Sequence, residues 1–312
     1  MAVYTPVDRS TLARFLADYD LGAVERFEGI PQGIENSNFR LETTGGKYVL
    51  TIFERRAAAA DLPYFLALKT HLAAKGFPAP RPVARRDSAV LGEIAGKPAA
   101  IVTMLPGDWP RTPTPVEARS AGGALARLHR AAVDFPMRRE NALGQPFWRS
   151  LFEPSRPGAQ SVDAGLEREI DEALTAIERR WPRDLPTGAI HADAFPDNVL
   201  FNGGEVSGVI DFYFACDDLL AYDLAITLNA WAFGADGARS EPHAAAAIEG
   251  YEDIRPLSDP ERAALPMLMA GASMRFLLTR LHDWLHPPDG DRSRQKDPME
   301  QLRRLRFHLE RL

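Results

Sequence analysis

Three side chains in one short stretch carry the clearest chemistry. In HADAFPDNVLF (191–201), His191, Asp193 and Asn198 are spaced H-x-D-x-x-x-x-N on a loop that leads into the short strand VLF. The turn NGGE then predicts a hairpin, and the returning run SGVI ends at Asp211. Asn198 precedes one strand and Asp211 follows the other, so the hairpin is expected to set them side by side. Asp193 lies on the loop entering the same spot. One amide and two carboxylates are hard oxygen donors, a set that suits Mg²⁺ carrying a polyphosphate such as ATP and leaves one carboxylate as a base. The expected roles are Asp193 as base toward a substrate hydroxyl and Asn198 and Asp211 as Mg²⁺ ligands. His191 opens the motif and is counted with the catalytic group.

This order resembles the protein-kinase signature, a catalytic-loop Asp and Asn followed by a metal Asp. It is most similar to the form used by aminoglycoside phosphotransferase-like enzymes. The resemblance implies an α+β, protein-kinase-like two-lobe fold: a small mixed β N-lobe and a larger, mainly helical C-lobe. Upstream, GIPQGIENSN (29–38) joins two strands as a phosphate-covering loop would, although its glycines lack the protein-kinase spacing. Gly33 offers flexible backbone there, with Asn36, Ser37 and Asn38 as donors to phosphate oxygens. The run IVTMLPG (101–107) ends a strand where such enzymes bind adenine through backbone groups, here near Met104 and Leu105. One departure stands out. Kinases place a lysine in the third strand, but this strand reads YVLTIF, with Thr51 at that position.

For the substrate, acids beside the metal site suggest an ammonium group, whose charge they offset. Asp217 and Asp218 are the first acids after Asp211, with Tyr213 among the neighbouring aromatics; Asp223, in AYDLA, is read as holding the catalytic loop. Arg275 and Arg280 lie on a half-apolar helix, where an Arg either snorkels or forms a fork for a carboxylate. Acid and base together would recognise a small amino acid. The residues alone stop at a small-molecule phosphotransferase for an amino alcohol or amino acid.

The blocks GIPQGIENSNF, YVLTIFE, IDFYFACDDLLAYDLAITLNAW, MRFLLTRLHDWL and KDPMEQLRRLRFH go further. They resemble, essentially end to end and including Thr51, the bacterial homoserine kinases of the aminoglycoside phosphotransferase-like type. That resemblance implies transfer of the γ-phosphoryl of ATP to the side-chain hydroxyl of L-homoserine, for threonine biosynthesis. Arg275, beside Met274 in one of these blocks, is preferred over Arg280 for the substrate carboxylate. Three other readings stay open. A choline or ethanolamine kinase would want an aromatic cage without a carboxylate fork, and an aminoglycoside kinase a wider acidic lobe. Thr51 also admits a non-catalytic nucleotide-binding regulator.

The elements that must position these groups follow from periodicity. A first helix capped by Asp8 or Ser10 precedes strands at 26–30, 37–42 and 47–53, a helix from Asp61 to Lys75, and strands at 90–94 and 98–104. LPGDWPRTPTP (105–115) holds four prolines and can be neither helix nor central strand. The expected division is therefore a β-rich nucleotide-binding lobe over 1–104, a hinge over 105–115 and a helical lobe over 116–312 with the catalytic loop and substrate site. Helical patterning marks 115–132, 163–181, 218–233, 239–252, 258–285 and 297–310, interrupted by a β island at 187–212.

Composition excludes other classes. The 312 residues are 45% hydrophobic and 26% charged, the mix of a globular chain and not a disordered one. Thirty-seven basic against 43 acidic residues give −6, with no basic stripe, which argues against nucleic acid or a membrane surface as partner. Cys216 is the lone cysteine, so neither a disulfide framework nor a cysteine zinc cluster is available. With no apolar run near the ~18–20 residues of a membrane span and no signal-peptide pattern at the N-terminus, a cytoplasmic location is expected.

Overall fold

The computed structural model describes residues 4–31, 36–54, 59–234, 237–287 and 295–312. The chain divides into two compact units. One comprises Met1–Asp108 with Leu200–Asn202 and Ser207–Tyr213, and the other comprises Trp109–Val199, Gly203–Val206 and Phe214–Leu312.

In the first unit, α1 (Arg9–Leu16) starts where the Asp8 carboxylate accepts from Thr11 N–H at 2.7 Å. Five strands follow: β1 (Val24–Gly29), β2 (Asn36–Thr43), β3 (Gly46–Phe53), β4 (Gly92–Ile94) and β5 (Lys97–Thr103), with α2 (Leu62–Ala74) inserted after β3. They form one antiparallel sheet in the order β1-β2-β3-β5-β4. The two-residue period of a strand divides its faces. Phe39, Leu41, Leu50, Ile52, Ala99 and Ile101 point to one side, where Leu12 and Phe15 of α1 complete a core. Asn38 and Thr51 are cross-strand partners on the other side, which Phe53 shares. There Tyr213 packs edge-on against Phe53 and against Phe65 of α2, with ring centroids 5.4 and 5.8 Å away.

The second unit is mainly helical. Its helices are α3 (Pro115–Ala131), α4 (Trp148–Phe152), α5 (Arg156–Val162), α6 (Leu166–Arg180), α7 (Leu220–Trp231), α8 (Glu241–Glu252), α9 (Asp259–Leu285) and α10 (Pro298–Leu309). Capping boxes start α3 at Thr114/Glu117 and α9 at Ser258/Glu261. Helices α3 and α8 approach closely through glycine: a Cβ at Gly122 would lie 2.0 Å from Ala247 O, and one at Gly250 2.0 Å from Arg119 O. Strand β6 (Thr187–Ile190) pairs antiparallel with β9 (Cys216–Leu219). Strands β7 (Val199–Asn202) and β8 (Glu205–Val209), most of whose residues belong to the first unit, form the expected hairpin. Gly203 and Gly204 turn it with φ of 62° and 88°, values that favour glycine.

Two local expectations change. The helix expected over 218–233 starts only at Leu220, because CDDL pairs with β6 instead. Nothing in those four residues favours a strand; the partner decides it. Helices α4 and α5 lie in a stretch to which periodicity assigned no element. Among the described residues, no helix is long and apolar enough to cross a membrane.

Candidate active site

The loop after β6 carries His191, Asp193 and Asn198, and α7 and α9 hold it from beneath. Asp223, on α7, accepts from His191 N–H through Oδ2 and from Ala192 N–H through Oδ1, both at 2.8 Å. Trp231 Nε1 donates to Ala194 O at 2.8 Å. From α9, Arg275 Nη1 donates to Ala192 O at 2.6 Å, and Phe276 packs edge-on against Phe195 at 5.0 Å. Asn198 Nδ2 donates to Asp193 O at 2.8 Å and to Asp193 Oδ2 at 3.1 Å. Both bonds use Nδ2, which turns Oδ1 into the atom for a hard cation. The loop is therefore fixed at successive backbone groups, while the Asp193 side chain stays half-buried at its rim.

His191 departs from the expectation of a catalytic group. It is fully buried, and its Nδ1 accepts from Asp193 N–H at 3.2 Å. Through that bond it orients the Asp193 backbone, and its side chain has no exposed surface. Asp223 is fully buried as well. Burial acts to raise its pKa, but the His129 bond at 3.0 Å and the loop N–H groups prevail and hold the carboxyl below its ordinary value. His129 in turn bonds Tyr251 Oη at 2.8 Å; Arg255 donates to that hydroxyl at 3.2 Å and to Glu261 at 2.8 Å. A buried polar chain thus runs from the start of α9 to the loop. Sequence reading missed it, since its members lie on separate helices.

In the first unit, Asp211 follows β8 with φ 64°, a left-handed conformation uncommon for a side-chain-bearing residue. It is exposed. Tyr213 stands two residues on, and Lys69 Nζ lies over its ring, 5.0 Å from the centroid. Burial pulls the Lys69 pKa down to about 8, against the opposing pull of the Asp211 charge. Burial and the same Asp211 charge push the Tyr213 hydroxyl up, with Thr51 opposing. Lys69 was not singled out from the sequence, yet the signal existed: it falls in register with the buried Leu62, Phe65, Leu66 and Leu72 of α2.

The residues expected at the nucleotide phosphates are used differently. Gly33 lies outside the described residues. Asn36 and Ser37 are buried in β2, where Asn36 Oδ1 accepts from Glu54 N–H at 3.3 Å and the Ser37 hydroxyl donates to Glu54 Oε1 at 2.5 Å. The Ser37 hydroxyl is thereby spent on Glu54, while Asn36 keeps its Nδ2 outside these bonds. Burial acts to raise the Glu54 pKa, but Lys97, Ser37 and Thr5 hold it below its ordinary value, so the acid nearest Thr51 in sequence is already paired with Lys97. Asn38 Oδ1 accepts from the Thr51 hydroxyl at 2.8 Å, which leaves its Nδ2 as the donor. Met104 N–H is committed to Lys47 O at 3.0 Å, so a nucleobase would have to use the other backbone groups near Met104 and Leu105. Leu105 itself packs on Gly208, where a Cβ would sit 2.8 Å from its Cδ1.

The expected substrate residues also resolve. Arg275 is 3% exposed, gives Nη1 to the loop carbonyl, and lies 4.1 Å over the Phe276 ring and 5.2 Å over Phe214. This corrects its reading as an open carboxylate fork: the group is buried under the loop. Arg280 pairs with Glu300 at 2.7 Å. Asp218 accepts from Asn141 Nδ2 at 2.6 Å and Leu219 N–H at 2.7 Å, and burial nevertheless raises its pKa, which suits a counter-ion poorly. Asp217 accepts from Arg139 N–H at 2.8 Å and keeps 20% of its side chain exposed. Tyr213 belongs to the cluster of Phe53, Phe65 and Lys69. Among the described residues, no three His, Cys, Asp or Glu side chains group as a metal cluster.

The profile of the phosphotransferase enzyme family matches residues 26–257. Over 308 residues the chain is 53% identical to a homoserine kinase from Chelativorans sp. (strain BNC1), covering 99% of this chain and 96% of that one. It is 50% identical to a homoserine kinase from Brucella canis (strain ATCC 23365 / NCTC 10854 / RM-666), covering 99% and 94%. Among solved structures, it is similar to an amicoumacin kinase in complex with AMP-PNP and Ca²⁺, with TM-score 0.71, 16% identity and coverage of 97% and 93%. A spectinomycin phosphotransferase in complex with ADP gives TM-score 0.68 at 14% identity, covering 97% and 95%. At such identities these two structures show the fold alone, and that fold is the α+β, kinase-like one anticipated from the motif.

Proposed function

Because the chain belongs to the phosphotransferase enzyme family, and to the homoserine kinases within it, we propose that it transfers the γ-phosphoryl group of ATP to the side-chain hydroxyl of L-homoserine. The products are O-phospho-L-homoserine and ADP, in threonine biosynthesis. One observation carries the reading: Asp193 stands on a loop fixed by Asp223, Arg275, Trp231 and Asn198, in a chain 53% identical to a homoserine kinase.

The hydroxyl oxygen of the substrate forms a bond to the γ-phosphorus as the bond from that phosphorus to the β–γ bridging oxygen breaks. The hydroxyl proton passes to the Asp193 carboxylate, and ADP leaves with the electron pair. Asn198 Nδ2, bonded to Asp193 Oδ2 at 3.1 Å, keeps the base pointed at the rim. Asn198 Oδ1 and the Asp211 carboxylate, which flank one hairpin, are hard oxygen donors that fit Mg²⁺. When bound, Mg²⁺ offsets the charge of the β- and γ-phosphate oxygens. Asn38 Nδ2 and the backbone near Met104 and Leu105 serve the nucleotide. Asp217, whose side chain keeps 20% exposure, takes the substrate ammonium in preference to Asp218, whose pKa burial raises. An ATP-consuming biosynthetic step and a free, buried Cys216 thiol fit a cytoplasmic setting.

Coupled ADP release measured with L-homoserine, choline, ethanolamine and an aminoglycoside tests the reading. L-Homoserine should be the fastest, and Asp193→Asn should lower kcat by about 10²–10⁴ while Mg·ATP affinity stays within a few-fold. Equal rates with alcohols that lack a carboxylate would overturn the substrate. An absence of turnover with every alcohol would favour the nucleotide-binding regulator.

A further inference from the structure

Thr51 stands where kinases hold a phosphate-binding lysine, and its hydroxyl is turned to Asn38 Oδ1 at 2.8 Å. The same unit nevertheless contains a cation that nothing in the fold explains. Lys69 of α2 is only 3% exposed, so its stem is enclosed. Among the described residues it makes no hydrogen bond and no ion pair. Its neighbours are the Tyr213 ring, 5.0 Å from Nζ, and the Asp211 charge.

An ammonium on so deeply buried a side chain, without a close partner, is unfavourable, and an apolar side chain of similar length would fill the same space without that cost. Lys69 is therefore poorly placed for stability and well placed for charge. Tyr213 is only two residues beyond Asp211, so the segment that carries the proposed metal ligand also carries the ring over which the ammonium lies.

We propose that Lys69 supplies, from α2, the cation that the third strand lacks: it faces the Asp211 end of the phosphate subsite and neutralises the ATP phosphates there, with the Tyr213 ring as its platform. The lysine has moved from strand to helix, and Thr51 with Asn38 fills the vacated strand position. This inference rests on the reading of Asp211 as the metal carboxylate.

The test is Lys69→Met, which keeps length and volume. Calorimetry without homoserine should show the Mg·ADP Kd rising about tenfold or more. The KM for Mg·ATP should rise in parallel, the KM for homoserine should hold, and the melting temperature should be no lower than in the parent. Adding Thr51→Lys to Lys69→Met, which returns the lysine to the third strand, should recover much of the nucleotide affinity. Unchanged nucleotide affinity in a folded Lys69→Met assigns Lys69 to the core and overturns the proposal. So does a large fall in melting temperature that Thr51→Lys does not accompany with regained affinity. Asp211→Asn, measured in parallel, separates the two readings. If it abolishes Mg²⁺-dependent turnover while Lys69→Met changes nothing, only the lysine assignment fails; if it leaves turnover intact, the metal reading fails as well.

Discussion

Arg275 grips the carbonyl of Ala192. Its Nη1 lies 2.6 Å from that oxygen, while Asp223 Oδ1 takes the Ala192 N–H at 2.8 Å. Ala192 has φ 61°, in the left-handed region. A non-glycine residue there costs on the order of 1–3 kcal/mol. Hydrogen bonds to charged groups contribute about 1.5–3 kcal/mol each, enough to hold it. The turn that presents Asp193 exists because a cation and an anion on two different helices clamp one alanine.

Arg275→Lys keeps the charge but loses the planar fork. We expect kcat to fall about tenfold, as the loop relaxes, with smaller changes in the KM of homoserine and of ATP. Steady-state kinetics decide it. A rise confined to the homoserine KM, with kcat intact, would return Arg275 to direct contact with the substrate carboxylate.

Asp223→Ala removes the acceptor shared by His191 N–H, Ala192 N–H and His129 Nε2. Breaking such a buried charged group out of its network costs about 3–5 kcal/mol, which lowers the melting temperature on the order of 10 °C. Asp223→Asn, which keeps the shape, should lose less. A thermal melt unchanged in both variants would show that the loop is held without this carboxylate.

Asp211→Ala should leave the fold intact, because the side chain is exposed. Turnover should drop by more than the roughly 10–100-fold that outer-shell changes cost at metal sites. Titrating Mg²⁺ should show a much weaker metal dependence. Near-normal rates at ordinary Mg²⁺ would sink the ligand assignment.

His308 gives the stability a pH dependence. It is 4% exposed and its Nε2 lies 2.9 Å from Asn229 Oδ1. Burial, aided by Arg239, Arg304 and Arg311, pulls its pKa from 6.5 to about 3. The unfolded chain therefore binds the proton first as pH falls. Stability from this residue is complete above pH ~6.5, and declines from there toward pH ~3, by about 2 kcal/mol at pH 5. Denaturant unfolding at pH 7 and pH 5 should show a smaller difference in His308→Gln than in the parent. Equal differences would mean that His308 takes up its proton equally in the folded and the unfolded chain.

What the sequence determined by itself is local. The H-x-D-x-x-x-x-N loop, the hairpin and Asp211 are contiguous, so spacing and turn chemistry sufficed to read them. Helix starts at Pro115 and Asp259 were legible for the same reason, since a cap acts within one turn. Thr51 could be recognised as a departure from one strand alone. Tertiary structure decided what distant groups do to one another. Arg275 and Ala192 are 83 residues apart, and Ala192 and Asp223 are 31 apart. No periodicity says that one arginine lies beneath a loop and not open to substrate. Ser37 turned to Glu54, and CDDL became a strand because β6 was there to pair with it. Lys69 shows both sides: the helical period placed it among buried positions, but only the folded chain set the Asp211 charge near it. Periodicity depends on near neighbours and fixes which face is buried. Which groups meet across a core depends on the closure of long loops and the packing of whole elements.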